Sequence, residues 1–276
     1  MISGNDTPTF VDTHAHLDDG RFEGDLNAIL AAATNVGVRH VVNIGYRPHR
    51  WRTSIALAER RHDVSFTLGL HPHHADEFSA SLLADLAATI EKHRPVALGE
   101  IGLDYFRDLS DRDSQRRAFA AQLDLATQCR LPVVIHMRGE VEEDLRSELD
   151  RIGDHLIAVL HSFDGSEELA EYALSRGFFF GVGGLVTRES NARLREIVRN
   201  LPMDRLLLET DAPYLTPAGI KDRRNSPVNI PAIAATLASL KSVTLDDVAN
   251  ATTENARRVF GLSVGMEEAK PAESTR

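Results

Sequence analysis

The chain carries twelve histidines, and their placement relative to its carboxylates is its most informative feature. VDTHAHL sets His14 and His16 two apart, and in extended backbone such residues point to one side, so together they can hold one cation. Asp12 shares that parity and could orient an imidazole, since ligating histidines usually donate their second N–H to a carboxylate or carbonyl. A surface histidine pair would look the same, so the motif is suggestive but not sufficient. In VALGEIGLDY, Glu100 interrupts an apolar run. A buried carboxylate must be paired or metal-bound, or else be protonated. Its two oxygens could bridge two cations; a buried Glu–Arg pair is the plainer reading. PVVIHM and AVLHSF each end an apolar run in a histidine, His136 and His161, and LLLETDAPYL holds Glu209 and Asp211 on one face. Asp211 is expected to be a ligand and proton acceptor, with Glu209 supporting from behind.

These residues need elements to bring them together. Short β-rich apolar runs at 10–14, 40–44, 64–70, 96–101, 133–136, 156–161, 178–182 and 206–210 alternate with amphipathic segments at 26–36, 49–61, 82–93, 115–128, 141–152, 167–175 and 191–198. Three further helical patterns follow, at 230–240, 245–251 and 255–260. Alternating strands and helices indicate parallel βαβ units, and nearly all-apolar strands suit a sheet buried on both faces. Eight such units predict an α/β fold, a (β/α)₈ TIM barrel with additional C-terminal helices. An open doubly wound sheet is the alternative, but no glycine-rich phosphate loop follows the first strand. In a barrel, functional side chains project from the C-terminal strand ends. His14, His16, His71, Glu100, His136, His161 and Asp211 all fall there. His40, His49, His62, His93 and His155 fall elsewhere and read as structural.

The same end carries candidates for substrate contact: His71 and His73 in GLHPHHA, Asp104 and Tyr105 after the fourth strand, Arg138 after His136, and the basic loop at 223–227. For Arg138 a solvated cation is as good a reading as an anion contact, and for the basic loop a solvated face is the usual one. For Asp104 and Tyr105, a solvated turn is as good a reading as a substrate contact.

Composition sets the outer limits. The 276 residues are ordinary for a globular protein and suffice for one large domain, expected over 1–264 with a polar tail at 265–276. A single cysteine, Cys129, excludes an internal disulfide and a cysteine-rich zinc framework. No apolar run approaches the ~18 residues of a membrane span, and the N-terminus lacks the pattern of a secretory signal, so a cytoplasmic protein with no membrane partner is expected. The 31 basic and 41 acidic residues give a net charge of −10, which argues against a broad basic face gripping duplex DNA. It does not exclude an enzyme that takes one phosphodiester into a metal-lined cleft.

VDTHAHL, GLHPHHA, GEIGLDYFRD, IHMR, HSFDGS, LLLETDAPYLTP and TTENARRVF, in that order, resemble the TatD family of metal-dependent deoxyribonucleases from Phe10 to Leu262. The resemblance implies a metallo-hydrolase barrel whose binuclear centre is held by His14, His16, Glu100, His136, His161 and Asp211. It also implies DNA as partner, hydrolysed as a 3′→5′ exonuclease at single-stranded ends. Two positions depart from the family: Ser226 stands where its rim loop has a glutamate, and Gly139 where an aspartate often follows the fifth strand. Neither touches a ligand position; both bear on substrate orientation.

On that footing one ion falls to His14, His16 and Asp211 and the other to His136 and His161, with Glu100 bridging and Asp211 accepting the proton. His71, Arg138, Arg224 and Asn225 would position the phosphate, and Tyr105 or Phe163 would stack on a base. Exchangeable Mg²⁺ or Mn²⁺ is expected, with Zn²⁺ also suited to four imidazoles. The rival is ester hydrolysis, as in family relatives that remove D-amino acids from tRNA. A catalytically dead scaffold fits poorly, because every ligand position is filled. The sequence specifies no oligomeric state.

Overall fold

The computed structural model describes residues 7–153 and 156–264; His155 and the expected tail at 265–276 lie outside them. Eight parallel strands follow one another in chain order around a single sheet. They are β1 (Phe10–Ala15), β2 (Val38–Gly45), β3 (Val64–Leu68), β4 (Ala97–Asp104), β5 (Val133–Arg138), β6 (Ala158–Leu160), β7 (Phe179–Val182) and β8 (Leu206–Leu208). Helices α1 (Leu26–Asn35), α2 (Pro48–Arg60), α3 (Ala80–His93), α4 (Arg112–Cys129), α5 (Glu142–Ile152), α6 (Glu167–Ser175) and α7 (Ala192–Asn200) connect them. The chain then continues as α8 (Ile230–Lys241) and α9 (Leu245–Phe260). The seam between β8 and β1 is stitched at its upper end: Asp211 N–H donates to His14 O (2.8 Å) and His16 N–H to Ala212 O (2.7 Å). The expected barrel is the observed fold. Among the described residues, no single helix is long and apolar enough to cross a membrane.

One expectation is corrected. Residues 245–251 and 255–260 are not two helices but the single α9. The intervening threonines favour helix poorly, yet Thr252 Oγ1 donates to Val248 O (2.8 Å) and Thr253 Oγ1 to Thr9 O (2.8 Å). The first bonds back to the carbonyl four residues earlier in its own helix and the second to the chain just before β1, so both hydroxyls are satisfied without interrupting α9. At the start of α9, Thr244 and Asp247 form a reciprocal capping box.

The buried apolar side chains separate into layers. Phe10, Val133, Ile135, Leu160, Phe180 and Leu208 pack with the helices. Val11, Val42, Ala97, Val134, Val159, Phe179 and Leu207 form a separate cluster with Phe260, the last residue of α9, and Leu262 just beyond it. Side chains from so many strands can share a cluster only in the barrel interior, so these residues plug its lower half. Side chains alternate along a strand, so two positions above Val134, Val159 and Leu207 come His136, His161 and Glu209. The site is the polar continuation of the interior plug. On β1 and β4 the alternation is broken. The β1–β2 register shifts between Asp12 and Ala15, and the β4–β5 register between Gly99 and Ile101. Such irregularities re-aim side chains; here they sit beside His14 and Glu100.

Candidate metal centre

Glu100 is buried, and its two oxygens face different partners. Oε2 lies 3.4 Å from His14 Nε2 and 3.9 Å from His16 Nε2. Oε1 lies 2.7 Å from His136 Nδ1, 3.3 Å from His71 Nε2 and 3.8 Å from His161 Nε2. Across from it, Asp211 Oδ1 is 3.2 Å from His16 Nε2, 3.8 Å from His14 Nε2 and 3.9 Å from His161 Nε2. The donor atoms of His14, His16 and Asp211 all lie within 4.8 Å of one another, as do those of His14, Glu100 and His161. His136 and His161 are further apart than a compact pair, with ring centroids 6.4 Å apart; they meet at Glu100 Oε1. Asp211 has left-handed backbone (φ 57°), which aspartate tolerates better than most residues.

Both ring nitrogens of His14, and Nδ1 of His16, are buried without a hydrogen-bond partner among the described residues. Such groups are costly unless something else satisfies them. Imidazole lone pairs gathered around ionised carboxylates are a donor set for a divalent cation. The residues fit a metal.

The electrostatics agree. Burial works against ionising Glu100, but His71 and His14 beside it and the hydrogen bond from His136 hold it well below the usual carboxylate range. Burial likewise opposes ionising Asp211, and the His16 hydrogen bond and the His161 charge outweigh it. Burial and the neighbouring His161 lower His14. His161 goes the other way: against burial, Glu209 and Glu100 push it up to about 9.

A carboxylate stands behind two of the imidazoles. Glu209 Oε1 lies 3.0 Å from His161 Nδ1, at ion-pair distance but out of hydrogen-bond alignment, and accepts from Ser162 N–H (2.6 Å). Gly181 makes room for it: a Cβ there would sit 2.1 Å from Glu209 Oε2. Asp104 Oδ2 is 3.0 Å from His136 Nε2 and 2.6 Å from His73 Nε2, while Oδ1 accepts the backbone N–H of Phe106 and Arg107 (3.0 and 2.7 Å). Asp104 is therefore no solvated turn. β4 runs through to it, which carries it to the imidazole of His136. Asp12 does not orient an imidazole as expected. It accepts from Thr210 N–H (3.0 Å), Thr210 Oγ1 (2.6 Å) and His14 N–H (3.3 Å), so both oxygens are engaged in bracing the seam.

His71, His73 and His136 also bring their nitrogens within 4.8 Å of one another. His71 Nδ1, however, accepts the His73 backbone N–H (3.1 Å), so in the neutral ring Nε2 carries the hydrogen and points at Glu100. Burial pushes His71 down to about 3, which keeps the ring neutral. It offers the centre a donor, not a lone pair.

The other expected contacts fare unevenly. His73 is half-buried and tied to Asp104. Arg138 is paired with Asp164 and donates to Ser162 Oγ (3.2 Å). Arg224 is engaged by Asp25 (2.7 and 3.1 Å) and donates to Arg21 O (2.6 Å). Asn225 is fully buried: its side chain donates to Thr210 O (2.7 Å) and accepts from Ser226 N–H and Asn229 Nδ2. It braces the loop and cannot meet substrate. Phe163 is buried with its edge on Phe180 and cannot reach a base. Tyr105 donates to Asp144 (2.6 Å) and has Arg112 over its ring (4.4 Å). Reading by strand ends passed over Tyr46, just after β2, whose ring meets His16 edge-on at 5.2 Å. An aromatic directly after a glycine strand end was the available signal.

A barrel whose upper mouth gathers imidazoles and carboxylates around one buried glutamate is that of a metal-dependent hydrolase. Residues 11–261 match the family of TatD related DNases, and the chain belongs to that family. It is 36% identical over 257 residues to a protein of Erwinia tasmaniensis named 3′-5′ ssDNA/RNA exonuclease TatD, covering 91% of this chain and 99% of that one. It is 34% identical over 252 residues to the uncharacterized metal-dependent hydrolase YabD of Bacillus subtilis, with the same coverage. The crystal structure of YjjV, a TatD homologue from Escherichia coli K12, superposes with a TM-score of 0.86 at 33% identity, covering 92% of this chain and 98% of that one.

Proposed function

We propose that this protein hydrolyses phosphodiester bonds at the ends of single-stranded DNA in the 3′→5′ direction, using two divalent cations. The observation that carries the two-ion reading is the division of Glu100. One oxygen faces His14 and His16, the other His136, His71 and His161, so one carboxylate serves two ligand groups. The names of relatives such as the Erwinia protein favour a single-stranded nucleic acid, RNA included, over an aminoacyl ester.

His14, His16 and Asp211 would hold one ion, His136 and His161 the other, with Glu100 between them. When bound, such ions supply Lewis acidity, charge neutralisation at the phosphoryl oxygens and a more acidic water. Mg²⁺ or Mn²⁺ suits the carboxylates and the reaction, and Zn²⁺ suits the imidazoles. The protein's own groups do the rest. Asp211, kept ionised and set at the seam, takes the proton from the attacking water. His71, held as the Nε2–H tautomer with Nε2 3.3 Å from Glu100 Oε1, would turn that hydrogen to a phosphate oxygen when Glu100 is engaged by the ions. Asp104 and Glu209 keep His136 and His161 facing the centre.

The test is hydrolysis of end-labelled oligonucleotides, single- and double-stranded, before and after metal removal. Chelation should abolish release of nucleotides from the 3′ end, and Mg²⁺ or Mn²⁺ should restore it. Glu100→Gln should lower kcat by about a hundredfold or more, since a polarising ion contributes several kcal/mol. Near-normal turnover of that variant at saturating metal, or preferential cleavage of an aminoacyl ester, would overturn the reading.

A further inference from the structure

We propose that Phe106, with Arg107 beside it, is a nucleotide-binding subsite in which the phenyl ring stacks on an unpaired base; this rests on the nuclease reading above. Phe106 is 76% exposed and Leu109 is 62% exposed, the two most exposed large apolar side chains among the described residues. Both lie between β4 and α4, and Tyr214 and Ile220, also exposed, lie between β8 and α8. These loops rim the end of the barrel that holds the metal centre. Single exposed apolar side chains are commonplace, but here exposed apolar surface gathers at the mouth.

The loop beneath Phe106 is well anchored. Tyr105 N–H donates to Arg138 O (2.9 Å), the Tyr105 hydroxyl to Asp144, and Gln115 Nε2 to Ser110 O (2.9 Å). Gly139 lets the loop sit against the end of β5. It has φ +79°, and a Cβ there would come within 2.8 Å of Phe106 N. The Phe106 N–H is held by Asp104, whose other oxygen holds His136. A single carboxylate thus ties the exposed ring to a candidate ligand. A frame this well bonded could have buried the ring, yet it presents it to solvent.

Competing aromatics at this end are occupied. Tyr214 has the Arg21 guanidinium over its ring at 4.2 Å, Tyr105 has Arg112, and Tyr46 stacks on His74. Phe106 has neither a ring nor a cation against it among the described residues. Arg107 is exposed, and among the described residues its guanidinium has no hydrogen bond or ion pair, whereas Arg138 and Arg224 are both paired. A free aromatic face next to a free guanidinium suits one nucleotide, base on the ring and phosphate on the cation. A base inside a duplex has both faces covered by its neighbours, so the ring meets a base only in a single strand or at a frayed end. The subsite therefore selects for unpaired substrate without reading sequence, since every base has a π-face.

The experiment compares kcat/KM for an intact single-stranded oligonucleotide with that for strands carrying an abasic tetrahydrofuran spacer, moved one position at a time from the cleaved end. The wild type should favour the intact strand by about tenfold when the spacer occupies the subsite, within the range measured for base–aromatic stacking. Phe106→Ala should remove that preference, mainly through KM, and Phe106→Trp should restore it. Arg107→Gln should weaken intact and abasic strands alike. If Phe106→Ala keeps the full preference, or loses activity equally on both strands, the base contact is wrong while the nuclease reading stands. The contact is equally wrong if the variant changes only the oligomeric state, which would assign the loop to a protein interface. If the wild type binds divalent ions but neither binds nor cleaves a single strand, the nuclease reading falls and this subsite with it.

Discussion

The imidazoles of His14 and His161 lie face to face, their centroids 3.4 Å apart and their planes 15° from parallel, although they come from β1 and from the end of β6. Two buried imidazoliums cannot share such a contact. His161, pushed up to about 9 by Glu209 and Glu100 against burial, keeps the proton, and His14 is lowered by burial and by His161 itself. A divalent cation must displace that proton to reach the His161 lone pair. Metal affinity should therefore rise with pH through neutrality and level off above about 9, and binding near pH 7 should release protons. Calorimetric titrations in buffers of different ionisation enthalpy measure the proton count directly. Affinity independent of pH between 6 and 9, with no protons released, would contradict the pairing.

The carboxylates behind the ligands should matter almost as much as the ligands. Asp104→Asn and Glu209→Gln keep size but remove the charge that orients His136 and His161. Each should weaken metal affinity or lower activity by roughly 10–100-fold. Metal titration of each variant checks this. Values within twofold of the wild type would reduce both residues to packing.

Gly181 offers a test of Glu209 that leaves its carboxylate in place. Gly181→Ala would put a Cβ 2.1 Å from Glu209 Oε2, so the carboxylate must move. The strain should cost about 1–3 kcal/mol of stability. Metal affinity should fall with it, as it does in Glu209→Gln. The two substitutions act on one contact, so the double variant should lose less metal affinity than the two single losses combined. Full additivity would separate Gly181 from the site.

Much of this site was legible in the chain because strand periodicity is strict. Once Val134 and Val159 are placed in the interior, His136 and His161 must follow two residues on. His14 was legible from its two-residue spacing to His16 at the end of the first strand, and Glu100 because an ionisable group inside an apolar run demands a partner. Periodicity alone would have misplaced them, because the register shifts on β1 and β4 break it. Loop residues escaped for lack of any period. Arg224 and Asn225 read as anion contacts by type, yet the fold spends one on Asp25 and buries the other as a brace. Tyr105 and Phe106 are adjacent and both aromatic, and nothing in their order says which ring the loop leaves exposed. Asp104 looked like a turn because β4 was expected to end at Ile101, before it reaches the His136 imidazole.

His40 stands away from the metal centre and should make the fold acid-sensitive. Its Nε2 lies 2.9 Å from Ser65 Oγ, and burial lowers it to about 4, with His62 adding to the shift and Asp63 opposing it. In the unfolded chain a histidine titrates near 6.5. The folded pKa is the lower one, so the unfolded state binds the proton more readily as pH falls. The stability tied to a neutral His40 is complete above about 6.5 and is lost progressively as pH drops through about 4. The loss should amount to roughly 2–3 kcal/mol. Glutamine cannot take up the proton and can still bond Ser65, so His40→Gln should be more resistant to acid over that window and close to wild type at pH 8. Urea unfolding from pH 4 to 8, with chelator present for both proteins, isolates the difference from metal binding at the barrel mouth. Identical pH slopes for the two proteins would show that His40 titrates normally in the fold.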